Sequence, residues 1–86
     1  MVLKIIGAED GVAERIEAAI RGAIPDAQVQ VKAGGAAHFE VQVVAEAFRG
    51  KSMVQQHQLV YGAIAGLMAG GAPPVHAIDR LVTKAP

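Results

Sequence analysis

The chain has 86 residues, with eight basic side chains, eight acidic ones and no cysteine. This length leaves room for one small domain, and the balanced charge argues against a strong, sequence-independent grip on nucleic acid. Without cysteine, disulfides, a thiolate nucleophile and an all-cysteine zinc site are excluded. The opening apolar run in MVLKIIGAED is too short for a signal peptide. We therefore expect a soluble, cytoplasmic protein.

The first half of the chain predicts one helix and two strands. Asp10 is the predicted N-cap of a helix with apolar residues at helical spacing, and Pro25 stops that helix from continuing. Residues 1–9 are predicted to form an N-terminal extension. The alternating runs AQVQVKA and HFEVQVVAEAF predict two strands of a hairpin, with the turn at the glycine pair 34–35.

The second half predicts a long helix and a last strand. Ser52 is the predicted N-cap of a helix that runs to about Ala69. The apolar stretch 59–75 is interrupted by glycines and prolines, so we interpret it as a buried helix followed by a loop, not as a membrane span. The predicted apolar face of the helix comprises Met53, Val60, Ile64, Leu67 and Met68.

The segment VHAIDRLVTKA predicts the final strand. The order helix, strand, strand, helix, strand gives an α+β fold, with both helices packed on one face of a three-stranded sheet.

Three histidines are the first candidates for chemistry. His38, His57 and His76 lack metal-ligand spacings such as HxxxH. A self-contained metal site is therefore not expected, but one histidine could complete a site whose other ligands come from a partner. His57 lies at the edge of the apolar helix face, where we expect a structural side chain that hydrogen-bonds to backbone or a neighbouring strand. The alternative for His57 is a metal ligand or a pH-sensitive contact.

The turn RGKS is the second candidate. The phosphate-binding loop pattern that ends in GKS requires glycine where this chain has Ala45. Arg49, Lys51 and Ser52 still form a basic turn at a helix N-terminus, which suits an anion, nucleic acid or an acidic partner. The alternative is a solvated turn. With so few hydroxyls and no visible catalytic triad, we do not expect an enzyme.

Several spaced motifs point to one family. The run HFEVQVVAEAFRGKSMVQQHQLVYGAI, followed by VHAI, closely resembles the BolA-like family, and the match covers about residues 25–86. The resemblance implies a compact class II KH-like fold, with RGKS near the place where a KH domain carries its nucleic-acid-binding GxxG loop. No GxxG stands there in this chain.

The resemblance also implies a partner and a cofactor. BolA-like proteins pair with monothiol glutaredoxins, and together they can hold a bridging 2Fe–2S cluster. The glutaredoxin supplies a cysteine, glutathione supplies a thiolate, and the BolA-like protein supplies a histidine that corresponds here to His76. Some members offer a second ligand from the loop between the first two strands, but the loop AGGAA has neither cysteine nor histidine. His38 is the nearest substitute, although it matches the family's HF strand motif.

This resemblance leaves three functions open. The leading hypothesis is a non-enzymatic accessory protein of iron–sulfur trafficking or iron homeostasis, monomeric or weakly dimeric alone, with no cofactor bound by the isolated chain. The alternative is a KH-like nucleic-acid-binding regulator of transcription, as in a stress response, which binds DNA or RNA through Arg49, Lys51 and the helix after Ser52. A third possibility is a domain that contacts apo-glutaredoxin without sharing metal.

Two departures from the family pattern carry structural predictions. The final strand is one residue longer than usual, which predicts a bulge at Asp79 or Arg80. The arginine that often precedes the helix histidine is Gln56 here, and we assign His57 itself to packing and hydrogen bonding, with a role in orienting the region around His76.

Overall fold

The computed structural model describes residues 8–86. Its elements in chain order are α1 (Ala8–Ala23), β1 (Gln28–Gly35), β2 (His38–Val44), a short 3-10 helix (Glu46–Phe48), α2 (Met53–Met68) and β3 (Ala77–Lys84). The predicted element order and α+β class are confirmed.

The start of α1 differs from the prediction. The helix begins at Ala8, so Asp10 lies inside its first turn and is not the N-cap. Alanine and glutamate are good helix formers, which explains why Ala8 and Glu9 join the helix. The extension predicted for residues 1–9 stays a prediction: residues 8 and 9 belong to α1, and residues 1–7 lie outside the described residues. The helix ends two residues before Pro25, as expected.

The hairpin turn also lies later than predicted. Gly34 and Gly35 continue β1, and Gly35 pairs with His38, so the tight turn falls on residues 36–37. Ala37 takes a left-handed φ of 59°, which costs a residue with a Cβ roughly 1–2 kcal/mol. Two backbone hydrogen bonds to the Ala37 carbonyl, from the amides of residues 76 and 77 at 2.8 and 3.3 Å, help to hold this conformation.

The sheet has the order β1-β2-β3. Strand β1 is antiparallel to β2, whereas β3 is parallel to it because α2 forms the crossover connection. Phe39 pairs with Ile78 and Glu40 pairs with Arg80, which leaves Asp79 unpaired between them. The predicted bulge is therefore confirmed, at Asp79.

The core lies between one face of the sheet and both helices. Inward residues alternate along β2, where Phe39, Val41 and Val43 are buried while their neighbours are partly exposed. The residues of the other elements that pack with them include Ile16, Ile20, Ile24, Val29, Val60, Ile64 and Val75. This arrangement confirms the prediction that both helices cover the same face.

The predicted apolar face of α2 is correct except at its first residue. Val60 and Ile64 are buried, and Leu67 and Met68 are half-buried. Met53, which directly follows the N-cap, is 56% exposed, although its sulfur accepts from the Thr83 hydroxyl of β3 at 3.5 Å. Among residues 8–86, no helix is both long and apolar enough to span a bilayer.

Candidate metal centre

His76 stands immediately before β3, at the end of the sheet where β3 begins. Its backbone amide donates to the Ala37 carbonyl at 2.8 Å, and the amide of the preceding Val75, whose side chain is fully buried, donates to Leu67 at 3.0 Å. His76 itself is exposed. The backbone therefore fixes the position of an imidazole that remains accessible to a partner.

His38 lies beside His76 although the two residues are far apart in the sequence. Parallel pairing places His38 opposite Ala77, the residue that follows His76. The two ring centroids are 5.1 Å apart, and the ring planes are nearly perpendicular, at 89°. The structure thus places side by side His38 and His76, the two residues predicted as metal ligands.

A carboxylate completes this group. The Nδ1 atom of His38 lies 2.8 Å from Oδ1 of Asp79, the residue that the bulge leaves unpaired. Bulges commonly redirect a side chain near a functional site. We call His38, His76 and Asp79 the histidine cluster. The sequence predicted the bulge but not the contact between His38 and Asp79. The extra residue in the last strand was the one sequence feature that could have suggested this contact.

The histidine cluster offers two imidazoles and one carboxylate at one end of the sheet. Among the described residues there is no group of three or more histidine, cysteine, aspartate or glutamate side chains that could hold a metal ion. The side chains of His38 and Asp79 are 37% and 50% exposed, so a partner can approach them. Imidazole nitrogen is an established ligand of iron in iron–sulfur centres. The chain can therefore contribute imidazoles to a cluster whose other ligands come from elsewhere.

The basic turn lies at the opposite end of the sheet. It follows the C-terminal end of β2, while the histidine cluster lies at the N-terminal ends of the parallel strands β2 and β3. Seven residues of β2 separate the two ends, a distance of roughly 20 Å at ~3.3 Å per residue. A single small ligand cannot contact both places.

Arg49 is engaged within the chain. Its Nε and one terminal nitrogen donate to the Glu46 carboxylate at 2.6 and 3.0 Å, and the same terminal nitrogen donates to the Pro86 carbonyl at 3.1 Å. The hydrogen bond from Arg49, with the attraction of its positive charge, holds the pKa of Glu46 below its ordinary value. The same hydrogen bond and charge raise the pKa of Arg49.

Ser52 also has a structural partner. It caps α2 through a capping box: its hydroxyl accepts from the Gln55 amide at 3.2 Å, and the Gln55 side chain accepts from the Ser52 amide at 3.0 Å. The predicted N-cap is therefore confirmed. Lys51 is exposed, and no hydrogen bond or ion pair within residues 8–86 engages its ammonium group. Anion binding by the turn remains a prediction that rests mainly on Lys51.

His57 does not make the hydrogen bond that we expected. Its Nε2 atom is buried and has no hydrogen-bond partner among the described residues. His57 lies on the second turn of α2, next to the basic turn, whereas His76 is at the other end of the sheet. Its packing role stays a prediction, and its position at the other end of the sheet does not support the predicted role in orienting the region around His76.

Gln56 is a structural residue that the sequence reasoning missed. Its side-chain nitrogen donates to the carbonyl of Lys51 at 3.0 Å, and its oxygen accepts from the buried hydroxyl of Thr83 at 2.8 Å. One side chain therefore ties the basic turn to β3. The sequence showed that Gln56 replaces the arginine common in the family, but it did not show that Gln56 contacts Thr83 on β3.

Comparison with known proteins identifies the family. The family model described as BolA-like protein matches residues 21–86. This chain belongs to the BolA-like family. The BolA domain of SufE1 from Arabidopsis thaliana superimposes with a TM-score of 0.73 at 28% identity, covering 95% of this chain and 96% of that domain.

Curated relatives agree with this assignment. SufE-like protein 1 of Arabidopsis thaliana, described as chloroplastic/mitochondrial, is 35% identical over 69 residues, or 80% of this chain. BolA-like protein 1 of Mus musculus is 46% identical over 48 residues, or 56% of this chain. The BolA-like chain spans 16% of the first relative and 33% of the second, so both are considerably longer proteins.

Proposed function

We propose that this BolA-like chain is a non-enzymatic accessory protein of iron–sulfur trafficking or iron homeostasis. It acts by forming a heterodimer with a monothiol glutaredoxin, bridged by a 2Fe–2S cluster to which His76 contributes a ligand. The observation that carries the proposal is the exposed imidazole of His76 on a backbone fixed by the hydrogen bond to Ala37.

The chemistry of the chain suits this role. A cysteine-free protein offers iron no thiolate, and neutral imidazole is the nitrogen donor found in mixed-ligand 2Fe–2S centres. When bound, the cluster would supply electron-transfer and iron-exchange chemistry. Because a protonated imidazole cannot ligate, the chain would release its side of the cluster in acid.

The likeness to the BolA domain of SufE1 supports an accessory role. In SufE-like protein 1, the matching region forms a small part of a much longer chain. The cytoplasmic location and the monomeric or weakly dimeric state of the isolated chain remain predictions.

The nucleic-acid hypothesis has less physical support. The net charge is zero, and nucleic-acid affinity depends on basic groups that neutralise phosphates. Arg49 is already paired with Glu46, and Ser52 caps α2. The basic turn therefore leaves Lys51 as its one cation without a partner among the described residues, and both the KH-like label and DNA or RNA binding remain predictions.

Anaerobic reconstitution tests the proposal. A monothiol glutaredoxin, iron, sulfide and glutathione are combined with the native chain, with His76→Ala, or with Lys51→Ala as a control at the opposite end of the sheet. Visible circular dichroism should show a new cluster spectrum with the native chain and the control, and should lose it with His76→Ala. A glutaredoxin spectrum that none of the three chains alters would overturn the proposal.

A further inference from the structure

One edge of the sheet is formed by β1, whose only strand neighbour among residues 8–86 is β2. Beyond the ladder with β2, no backbone hydrogen bond within that part of the chain engages residues 28–35. In an edge strand, every second residue directs its N–H and C=O away from the sheet. The outer side of β1, which we call the β1 edge, can therefore pair with another extended strand.

The opposite edge of the sheet is protected in ways that the β1 edge is not. β3 has the bulge at Asp79 near its start, and the charged residues Arg80 and Lys84 follow. Bulges and charges are the features by which proteins prevent edge-to-edge pairing. The ladder of β1 is regular as far as Ala33, and its one charged residue is Lys32. Of the two edges, β1 is the one suited to pairing.

The inward face of β1 is only partly covered by the chain itself. Val29 is 8% exposed, Val31 is half-buried and Ala33 is exposed, although the residues paired with them on β2 are all buried. Coverage therefore decreases from the start of β1 toward its end. An antiparallel copy runs in the opposite direction, so its covered end would lie beside the open end of the first copy.

Side-chain chemistry favours one register for two such copies. Centring the pair on Val31 places that residue opposite itself and Val29 opposite Ala33. Gln30 then lies opposite Lys32. Directly opposite residues share a face of the sheet, so apolar residues meet apolar ones and no like charges are opposed. Centring on Lys32 would oppose two lysines, which is unfavourable, and centring on Gln30 would leave Ala33 uncovered.

We propose that a second copy of this chain pairs with the β1 edge, antiparallel and centred on Val31. The two sheets join into one continuous sheet, and a two-fold axis perpendicular to it keeps the helices of both copies on the same face. The contact involves residues 29–33 of each copy. It is smaller than the ~1,200–2,000 Å² that stable interfaces bury, so the dimer is weak. The inference is independent of the proposed function, since it involves neither metal nor glutaredoxin.

Sedimentation equilibrium tests the register through charge. Gln30→Lys opposes a lysine to Lys32 of the other copy, twice in each dimer, and should raise the dimer dissociation constant roughly fivefold. Gln30→Glu should lower it by a similar factor. Gln28→Lys is the control, because it adds the same charge to the same face but lies opposite Gly34, and it should match the native chain. Equal constants for Gln30→Lys and Gln28→Lys, or a native chain that stays monomeric up to about 1 mM, would overturn the proposal.

Single cysteines test the register a second time, in a chain that has none of its own. Val31→Cys places two thiols opposite each other, with about 4.5–5.5 Å between Cβ atoms, and a mild oxidant should cross-link the dimer. In Ala33→Cys the two thiols are separated by roughly 13 Å along the strands. This variant should not cross-link, although Ala33 is the more exposed residue. Equal cross-linking of the two variants, or none in either, would overturn the proposal.

Discussion

The polar side chains at the two ends of the sheet differ in how far they are hydrogen-bonded within the chain. At the basic-turn end, Arg49, Ser52 and Gln56 all bind other parts of the chain. At the other end, His76 is exposed, and its ring centroid lies 5.1 Å from that of His38. Side chains that already satisfy their hydrogen bonds internally are less available to a partner. The comparison therefore predicts that substitutions at the basic-turn end lower stability more than the exposed substitution His76→Ala does.

The largest effect on stability is expected at Gln56. Gln56→Leu removes the oxygen that accepts from the Thr83 hydroxyl at 2.8 Å and leaves this hydroxyl with the Met53 sulfur, a weak acceptor at 3.5 Å. Thr83 is 4% exposed, and a poorly satisfied buried polar group costs about 1–3 kcal/mol. Urea denaturation should show a free energy of unfolding lower by that amount. Circular dichroism of the glutaredoxin complex should remain unchanged.

A double substitution is the matched control for Gln56. Gln56→Leu combined with Thr83→Val removes both partners of this hydrogen bond and should recover part of the loss, because no buried hydroxyl is left without its acceptor. The loss of the bond from Gln56 to the Lys51 carbonyl is not recovered. His76→Ala, an exposed substitution, should change the free energy of unfolding by less than about 0.5 kcal/mol. A larger loss for His76→Ala than for Gln56→Leu would reverse the comparison between the two ends.

A smaller loss is expected at the cap of α2. Ser52→Ala removes the hydroxyl that accepts from the Gln55 amide and should lower the free energy of unfolding by about 1 kcal/mol. Ser52→Asp is the control, because aspartate is an equally good cap and should restore the stability. If chemical denaturation finds Ser52→Ala as stable as the native chain, the capping box contributes nothing at this end.

The smallest effect concerns Glu46. Its carboxyl has a pKa below the ordinary value of 4.5, chiefly because of the hydrogen bond from Arg49. A lowered folded-state pKa contributes stability that is complete above pH 4.5 and disappears as the pH falls through the folded-state value. Both side chains are exposed, so the contribution is small.

An NMR titration of the Glu46 carboxyl checks this direction. The native chain should titrate below pH 4.5, and Arg49→Ala should return the midpoint toward that value. Equal midpoints in the two chains would show that the ion pair does not form in solution, and that Arg49 is available for an anion after all.

Local patterns in the sequence predicted most of the elements. The alternation along β1 and β2 and the helical spacing in α2 identified these elements, and Ser52 identified the start of α2. The turn at residues 36–37 could not be predicted, because the glycine pair before it offered a better local solution. Ala37 accepts the unfavourable φ because its carbonyl binds two amides at the start of β3.

The sequence by itself determined the family, the fold class, the bulge in the last strand and the choice of His76 as the leading ligand. These features depend on short-range periodicity or on spaced motifs. Only the tertiary structure decided that His38 and Asp79 lie beside His76, and that Arg49 is held by Glu46 and Pro86. The physical reason is that strand order and register bring together residues that no local pattern connects: parallel pairing of β2 with β3, shifted by one residue at Asp79, sets which side chains meet.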